Sequence, residues 1–306
     1  MAPDARGDVM PAVEVNGHPF WVEVAGPEGG RPLLLLCGLG MQLTFWTDPF
    51  VALLVGRGFR VVRMDNRDAG LSWGPDEIAP PPIDALERER AAGRIPDVPY
   101  RLEEMAADAV GVLDALGIGS AHIAGASMGG MIAQLVAAEH RDRALSLTSI
   151  MSNTGHPEVF GSTAAAIAAL NKPRPDPLTD REGYLDGTTD FVEAVGSPGY
   201  PTDRATRRAF IAADLDRAYR LEGFLRQYAA ILGSAPRDRR LAGVRVPAMV
   251  IHGGDDQLIP PAGGRATAEA IPGAELLVIP GMGHEIPAAL EETIADAIAR
   301  TAARAR

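Results

Sequence analysis

The chain reads as an α/β protein: a mostly parallel, twisted sheet flanked by helices, with a helical cap inserted late in the sequence. Three observations predict this. Short strand patterns, as at 33–37, 59–64 and 121–124, alternate with helical patterns, and strands alternating with helices imply a parallel sheet. The rhythm stops between 153 and 243, where only helical patterns occur, and resumes at 247. The run 121–124 leads into Gly125-Ala126-Ser127-Met128-Gly129 and then an apolar helical stretch, the strand–turn–helix setting of a nucleophile elbow.

In chain order, 13–15 and 20–24 flank Asn16-Gly17, a hairpin signal, so antiparallel strands are expected to open the sheet. Residues 33–37 are continuously apolar, as in a strand buried on both faces. A helix is expected at 49–55, a strand at 59–64 and a polar, turn-rich loop at 65–72. Prolines bracket 75–99, which reads as a surface excursion with a helical centre at 83–92. Residues 102–116 carry apolar side chains at helical spacing and stop at Gly117. After the elbow strand come a helix at 131–138 and a strand at 145–151. Four helical stretches (160–170, 183–195, 202–219 and 223–232) make up the cap. Strands at 247–251 and 275–279 then alternate with helices at 261–271 and 287–303. The expected division is a core of 1–152 and 244–306 with a cap of 153–243.

Composition narrows the function. The 306 residues are 46% hydrophobic with a formal net charge of -11. No basic stripe offers itself to phosphates, which argues against nucleic acid and against an anionic membrane surface. The single Cys37 permits no intramolecular disulfide. Residues 1–11 contain Asp4 and Asp8 and no apolar run of signal length, so the expectation is a soluble, cytoplasmic protein. No cluster with metal-ligand spacing and no dinucleotide or P-loop fingerprint occurs, so neither metal nor cofactor is expected.

The elbow turn is so tight that positions two before and two after the serine must lack bulk, which Gly125 and Gly129 satisfy. Such a turn lifts Ser127 above the sheet and aims a helix N-terminus at the reaction centre. A serine needs a base. Of His18, His122, His140, His156, His252 and His284, only His284, in the loop after the last strand, satisfies the chain order serine, acid, histidine. The acid should follow the strand 247–251, where Asp255 and Asp256 compete; successive side chains diverge, so one faces the histidine and the other bonds its own loop or is solvated. Two backbone N–H groups should stabilise the oxyanion: that of Met128, directly after the serine, and that of Leu39, between Gly38 and Gly40 after the first buried strand.

With these residues the chain, from about 13 to 303, resembles the α/β-hydrolase family. The marks are Gly-Ala-Ser-Met-Gly at 125–129, His-Gly-Gly-Asp-Asp-Gln-Leu-Ile-Pro at 252–260 and Gly-Met-Gly-His at 281–284. The family's loop pattern points to Asp256 as the acid. Residues 64–72 and 127–134 resemble, more narrowly, the esterase branch that includes aclacinomycin methylesterase. Relatives often carry His-Gly where this chain has Cys37-Gly38, and the resemblance implies a structural role there.

The resemblance implies a serine carboxylic-ester hydrolase that works through an acyl-enzyme, with Ser127, His284 and Asp256 as the triad. The same residues also serve perhydrolysis, C–C bond hydrolysis or amide hydrolysis, and the fold serves ligand-binding receptors. Dehalogenase and epoxide-hydrolase chemistry is disfavoured, because such folds place aspartate at the Ser127 position. The expected pocket lies between the strand ends and the cap. Leu39, Trp46 and Met128 are expected on its core side, and some of Phe160, Ile167, Leu170, Leu185, Phe191, Phe210, Ile211, Phe224, Leu225 and Tyr228 on the cap side. Such walls favour uncharged esters of short or medium chain.

Overall fold

The computed structural model describes residues 12–159 and 161–305; the readings of 1–11 and of Phe160 fall outside them. β1 (Val13–Val15) and β2 (His18–Phe20) form the hairpin expected around Asn16-Gly17. Both turn residues have positive φ, 53° and 79°, as a type I′ turn requires. The hairpin stays a separate two-stranded sheet, which corrects the expectation that it opens the main one. The chain breaks at Trp21, whose N–H goes to Ser72 Oγ at 2.9 Å instead of a ladder partner. The main sheet's edge is β3 (Val22–Ala25).

There follow β4 (Arg31–Leu36), α1 (Asp48–Gly56), β5 (Phe59–Met64), α2 (Ile83–Ala91), α3 (Leu102–Ala115), β6 (Ala121–Ala126), α4 (Met128–Glu139) and β7 (Ala144–Ile150). Between β7 and β8 the described helices and strands are all helical. They are α5 (Ala164–Leu170), α6 (Arg181–Val195), α7 (Arg204–Arg217), α8 (Leu221–Gly233) and the short α9 (Asp238–Leu241). The chain closes with β8 (Ala248–Gly253), α10 (Pro261–Ala270), β9 (Glu275–Ile279) and α11 (Ala288–Ala302). Four helix starts carry side-chain caps: Thr47 accepts from Phe50 N–H, Thr163 from Ala166 N–H, Asp180 from Gly183 N–H and Asp203 from Thr206 N–H. α9 has only four residues, too few to leave a periodic trace.

The seven strands lie in the order β3-β5-β4-β6-β7-β8-β9, and only β3 runs antiparallel to its neighbour. Along β4, Leu33 and Leu35 enter one core cluster with α1 and α11, and Leu34 and Leu36 enter the other with α3 and α4. This is the period of two expected of a strand covered on both faces. The chain winds outward from β4 to β5, then returns to add β6 on β4's other side. That reversal is a topological switch point, and the crevice beyond the carboxyl ends of β4 and β6 is where open α/β sheets bind ligands.

Candidate active site

The elbow follows β6 at that crevice. Ser127 has φ 55° and ψ -122°, a conformation that costs a non-glycine residue on the order of 1–3 kcal/mol. Its N–H donates to Ile150 O at 2.9 Å, which ties the turn to β7. A Cβ on Gly125 would collide with the Gly129 carbonyl, and one on Gly129 with the Leu36 carbonyl. These close approaches explain the two glycines. They also explain why α4 starts at Met128, earlier than the expected 131: Gly129 and Gly130 hide the first turn from helix propensity.

The structure brings Ser127, His284 and Asp256 together. His284 Nε2 lies 3.0 Å from Ser127 Oγ, and His284 Nδ1 lies 2.8 Å from Asp256 Oδ2. A carboxylate only accepts, so Nδ1 carries the proton and Nε2 is free to accept from the serine hydroxyl. Asp256 Oδ1 accepts from the N–H groups of Leu258 and Ile259, both at 2.9 Å. His284 and Asp256 are buried and Ser127 is partly exposed.

Asp255 lies outside this chain of contacts. Its Oδ2 accepts from Gly281 N–H at 2.7 Å and its own N–H donates to Met282 O at 2.9 Å. Asp255 is exposed, one of the two alternatives the sequence left for the second acid, and it braces the histidine's loop instead of its own. His252 is fully buried beside Asp256. Its Nε2–H donates to Ile259 O at 2.8 Å, and its Nδ1 has no partner among the described residues. Burial pushes its pKa down, since a protonated Nδ1 would be a buried donor without an acceptor.

The turn after β4 packs on the elbow: a Cβ on Gly38 would stand 3.3 Å from Ser127 Cβ. Leu39 follows in that turn, and Met128 opens α4 with a fully buried side chain. Cys37 is buried, and its S–H points to Gln42 O at 3.3 Å. Burial raises its pKa well above the ordinary thiol value, which makes it unreactive.

Trp46 departs from its expected place on the pocket wall. It is 1% exposed, stacks on Phe50 at a centroid distance of 5.5 Å and meets Phe45 edge-on at 5.0 Å. Burying so large an apolar ring in the α1–α11 cluster outweighs exposing it. Of the cap-side candidates, Leu185 is buried, Phe210 and Ile167 are exposed, and Phe224 lies against Gly40.

Several supporting residues received no role from the sequence, although 64–72 carried part of the family resemblance. The polar loop after β5 holds the turn after β4: Asn66 Nδ2 donates to Cys37 O at 3.0 Å, and Asp65 Oδ1 accepts from Leu43 N–H at 2.7 Å. Its Asp68 receives Arg226 of α8 through two bonds, at 2.7 and 2.9 Å. His284 N–H donates to Val195 O at the end of α6, and the next residue, Glu285, pairs with Arg207 of α7. The available signal was a run of short polar residues directly after a buried strand. An open groove of about 520 Å³, lined by Ala144, Pro247 and Arg304, lies at the opposite strand ends and contains none of these groups. Among the described residues, no helix is long and apolar enough to cross a membrane.

Comparison with known proteins agrees with this architecture. The family model described as alpha/beta hydrolase fold matches residues 31–288. The chain is 30% identical to rhodomycin D methylesterase DnrP of Streptomyces peucetius, covering 91% of this chain and 93% of that protein. It is 28% identical to a 2-hydroxy-6-oxononadienedioate/2-hydroxy-6-oxononatrienedioate hydrolase of Burkholderia vietnamiensis, over 84% of this chain and 81% of that one. Among solved structures, the enol-lactonase of Burkholderia xenovorans LB400 superposes with a TM-score of 0.66 at 27% identity, over 96% and 98% of the two chains. Matched over most of its length by that model, with its strands in this order and Ser127 on this turn, the chain belongs to the α/β-hydrolase family.

Proposed function

We propose that this protein is a serine carboxylic-ester hydrolase that acts through an acyl-enzyme on small, uncharged esters. The carrying observation is the unbroken contact from Asp256 through His284 to Ser127, at the switch point of the sheet. Ser127 Oγ attacks the ester carbonyl while His284 Nε2 takes the hydroxyl proton. Asp256 holds the imidazole in the required tautomer and stabilises the imidazolium. The N–H groups of Leu39 and Met128, with the N-terminus of α4 behind them, receive the oxyanion. His284 returns the proton to the leaving alcohol. Water, activated by His284, then attacks the acyl-enzyme and releases the acid with Ser127 restored.

In this reading residues 153–243 form a cap over the strand ends, while 1–152 and 244–306 carry the chemistry. The similarity to a methylesterase and to an enol-lactonase supports ester and lactone carbonyls, including methyl esters with little bulk on the alcohol side.

The test has two arms. A fluorophosphonate should label Ser127, and Ser127→Ala should lower kcat by roughly 10⁴- to 10⁶-fold with the fold intact. Across acyl chains from acetate to palmitate, kcat/KM should peak at short or medium length. A maximum at the longest chains with activation at an oil–water interface would make the protein a lipase. Turnover of a 2-hydroxy-6-oxodienoate but of no ester would assign it C–C bond hydrolysis with the same residues.

A further inference from the structure

α8 carries a glutamine that the proposed chemistry does not use. Gln227 is 0% exposed, and both ends of its amide are occupied. Its Oε1 accepts from Gly40 N–H at 2.8 Å, and its Nε2 donates to Arg67 O at 2.6 Å. A backbone N–H only donates and a carbonyl only accepts, so this amide has one possible orientation.

The residue it grips is a critical one. Met41 N–H donates to Gly38 O at 3.2 Å, so Gly38-Leu39-Gly40-Met41 is a β-turn. Gly40, third in the turn, has φ +67°, the sign that type II demands at that position. Type I and type II turns differ by a flip of the central peptide, here the one joining Leu39 to Gly40. The N–H of that peptide is the group Gln227 holds. One turn of α8 earlier, Phe224 lies flush on Gly40, where a Cβ would meet its ring at 2.6 Å. The other end of the glutamine is anchored on Arg67, in the loop whose Asn66 and Asp65 hold Cys37 O and Leu43 N–H. Gly40 N–H is thus the middle of three backbone groups fixed across one turn.

We propose that Gln227 is a positioning residue for the oxyanion hole: by holding Gly40 N–H it fixes the turn whose first peptide, Gly38–Leu39, carries the Leu39 N–H beside Ser127. The inference rests on the reading of Leu39 as an oxyanion donor. It makes the helical segment between β7 and β8 part of the catalytic geometry as well as a cover. A preorganised donor costs no reorganisation when the oxyanion forms; a turn no longer held at Gly40 gives up part of that advantage.

The test compares Gln227→Met, which fills the volume with neither hydrogen bond, and Gln227→Glu, which still offers Gly40 an acceptor. The readouts are kcat, KM and inhibition by an arylboronic acid, whose adduct with Ser127 places an oxygen where the oxyanion forms. Losing a whole oxyanion donor costs about 10²–10³-fold in kcat. A donor that remains but is no longer held should cost less, roughly 10- to 100-fold on the same scale. Gln227→Met should show that loss in kcat, an equal loss in boronate affinity and little change in KM. Gln227→Glu should recover most of both.

Equal kcat and boronate affinity in Gln227→Met and wild type, with Ser127 still labelled by fluorophosphonate, would overturn this inference and leave the hydrolase reading standing. Failure of Ser127 to label would overturn the hydrolase reading first. If Gln227→Met does not fold, Gln227→Asn, whose shorter amide cannot reach Gly40, decides: a loss of boronate affinity with Ser127 still labelled supports the proposal, and wild-type affinity refutes it.

Discussion

Replacing Asp256 by asparagine tests the site through a consequence of its geometry. Asp256 Oδ1 accepts two backbone N–H groups, from Leu258 and Ile259, and Oδ2 faces His284 Nδ1. An asparagine side chain has one acceptor and one donor end. If its carbonyl faced His284, its NH₂ would confront two backbone donors and leave both unsatisfied, at about 1–3 kcal/mol each. The amide should therefore keep its oxygen on the backbone and turn its NH₂ to His284. His284 Nδ1 then accepts and Nε2 carries the proton. In that tautomer Nε2 cannot take the proton of Ser127. The expected loss is about 10⁴-fold in kcat, or about 5.4 kcal/mol of barrier at 1.36 kcal/mol per factor of ten. Asp255→Asn keeps a carbonyl for Gly281 N–H at an exposed position and should cost less than roughly tenfold, the smaller effect of a surface substitution that keeps its acceptor. The assay is kcat/KM on one chromogenic ester at fixed pH, with circular dichroism to confirm folding. Asp256→Asn within tenfold of wild type, or Asp255→Asn as the more damaging change, would refute the assignment.

Two further outcomes follow from backbone strain and from burial. Ser127→Gly should be more thermostable than Ser127→Ala by about 1 kcal/mol, because glycine tolerates the positive φ that alanine must still strain to adopt; equal or reversed melting temperatures would show that the elbow stores no such strain. His122, buried in β6 with Nδ1 2.9 Å from Ser146 Oγ, has its pKa lowered from 6.5 to about 4, mainly by burial and then by the charge of Arg31. Its folded pKa lies below the unfolded one, so its stability contribution is whole above about pH 6.5 and falls away toward pH 4. The loss is roughly 3 kcal/mol. His122→Gln should flatten that part of the curve in denaturant titrations, and parallel wild-type and variant curves between pH 7 and 4 would contradict the argument.

How far the chain could be read in advance depends on the range of each signal. Ser127, its flanking glycines and the loop glycines around Leu39 are local patterns set by one tight turn each, and they stood out as motifs. β4 was legible because burial on both faces makes 33–36 continuously apolar, and the strands of the main sheet after it through their place in the alternation with helices. The residues alone left Asp255 and Asp256 open, because they do not give the direction of neighbouring side chains; the family's loop pattern pointed to Asp256. Trp46 was misplaced because a large aromatic residue near a site satisfies a pocket wall and a core equally well; only its packing on Phe50 and Phe45 separates the two. Arg226 and Gln227 sit side by side in α8, yet their partners, Asp68 and Gly40, are 158 and 187 residues away. No periodicity links residues so far apart.

Those distant partners share a pattern. Arg226 meets Asp68, Arg217 meets Asp65, and Arg207 meets Glu285, each joining a helix between β7 and β8 to a loop of the core. The side chains of Asp65, Asp68 and Arg226 are at most 1% exposed, so the desolvation cost is large. A buried ion pair is about neutral for stability against an apolar pair of the same volume, and stability alone does not account for three of them. Their places in the chain do. Asp65 also holds Leu43 N–H beyond the turn that carries Leu39; Asp68 lies in the same loop, next to the Arg67 carbonyl that Gln227 grips; Glu285 follows His284 directly. Each charge therefore fixes a helix and one edge of the proposed site in a single contact. An ion pair is directional where an apolar contact can slide. A displacement of about 1 Å at a reacting group can cost on the order of 10²-fold in rate. What these pairs contribute is register between the helices and the site.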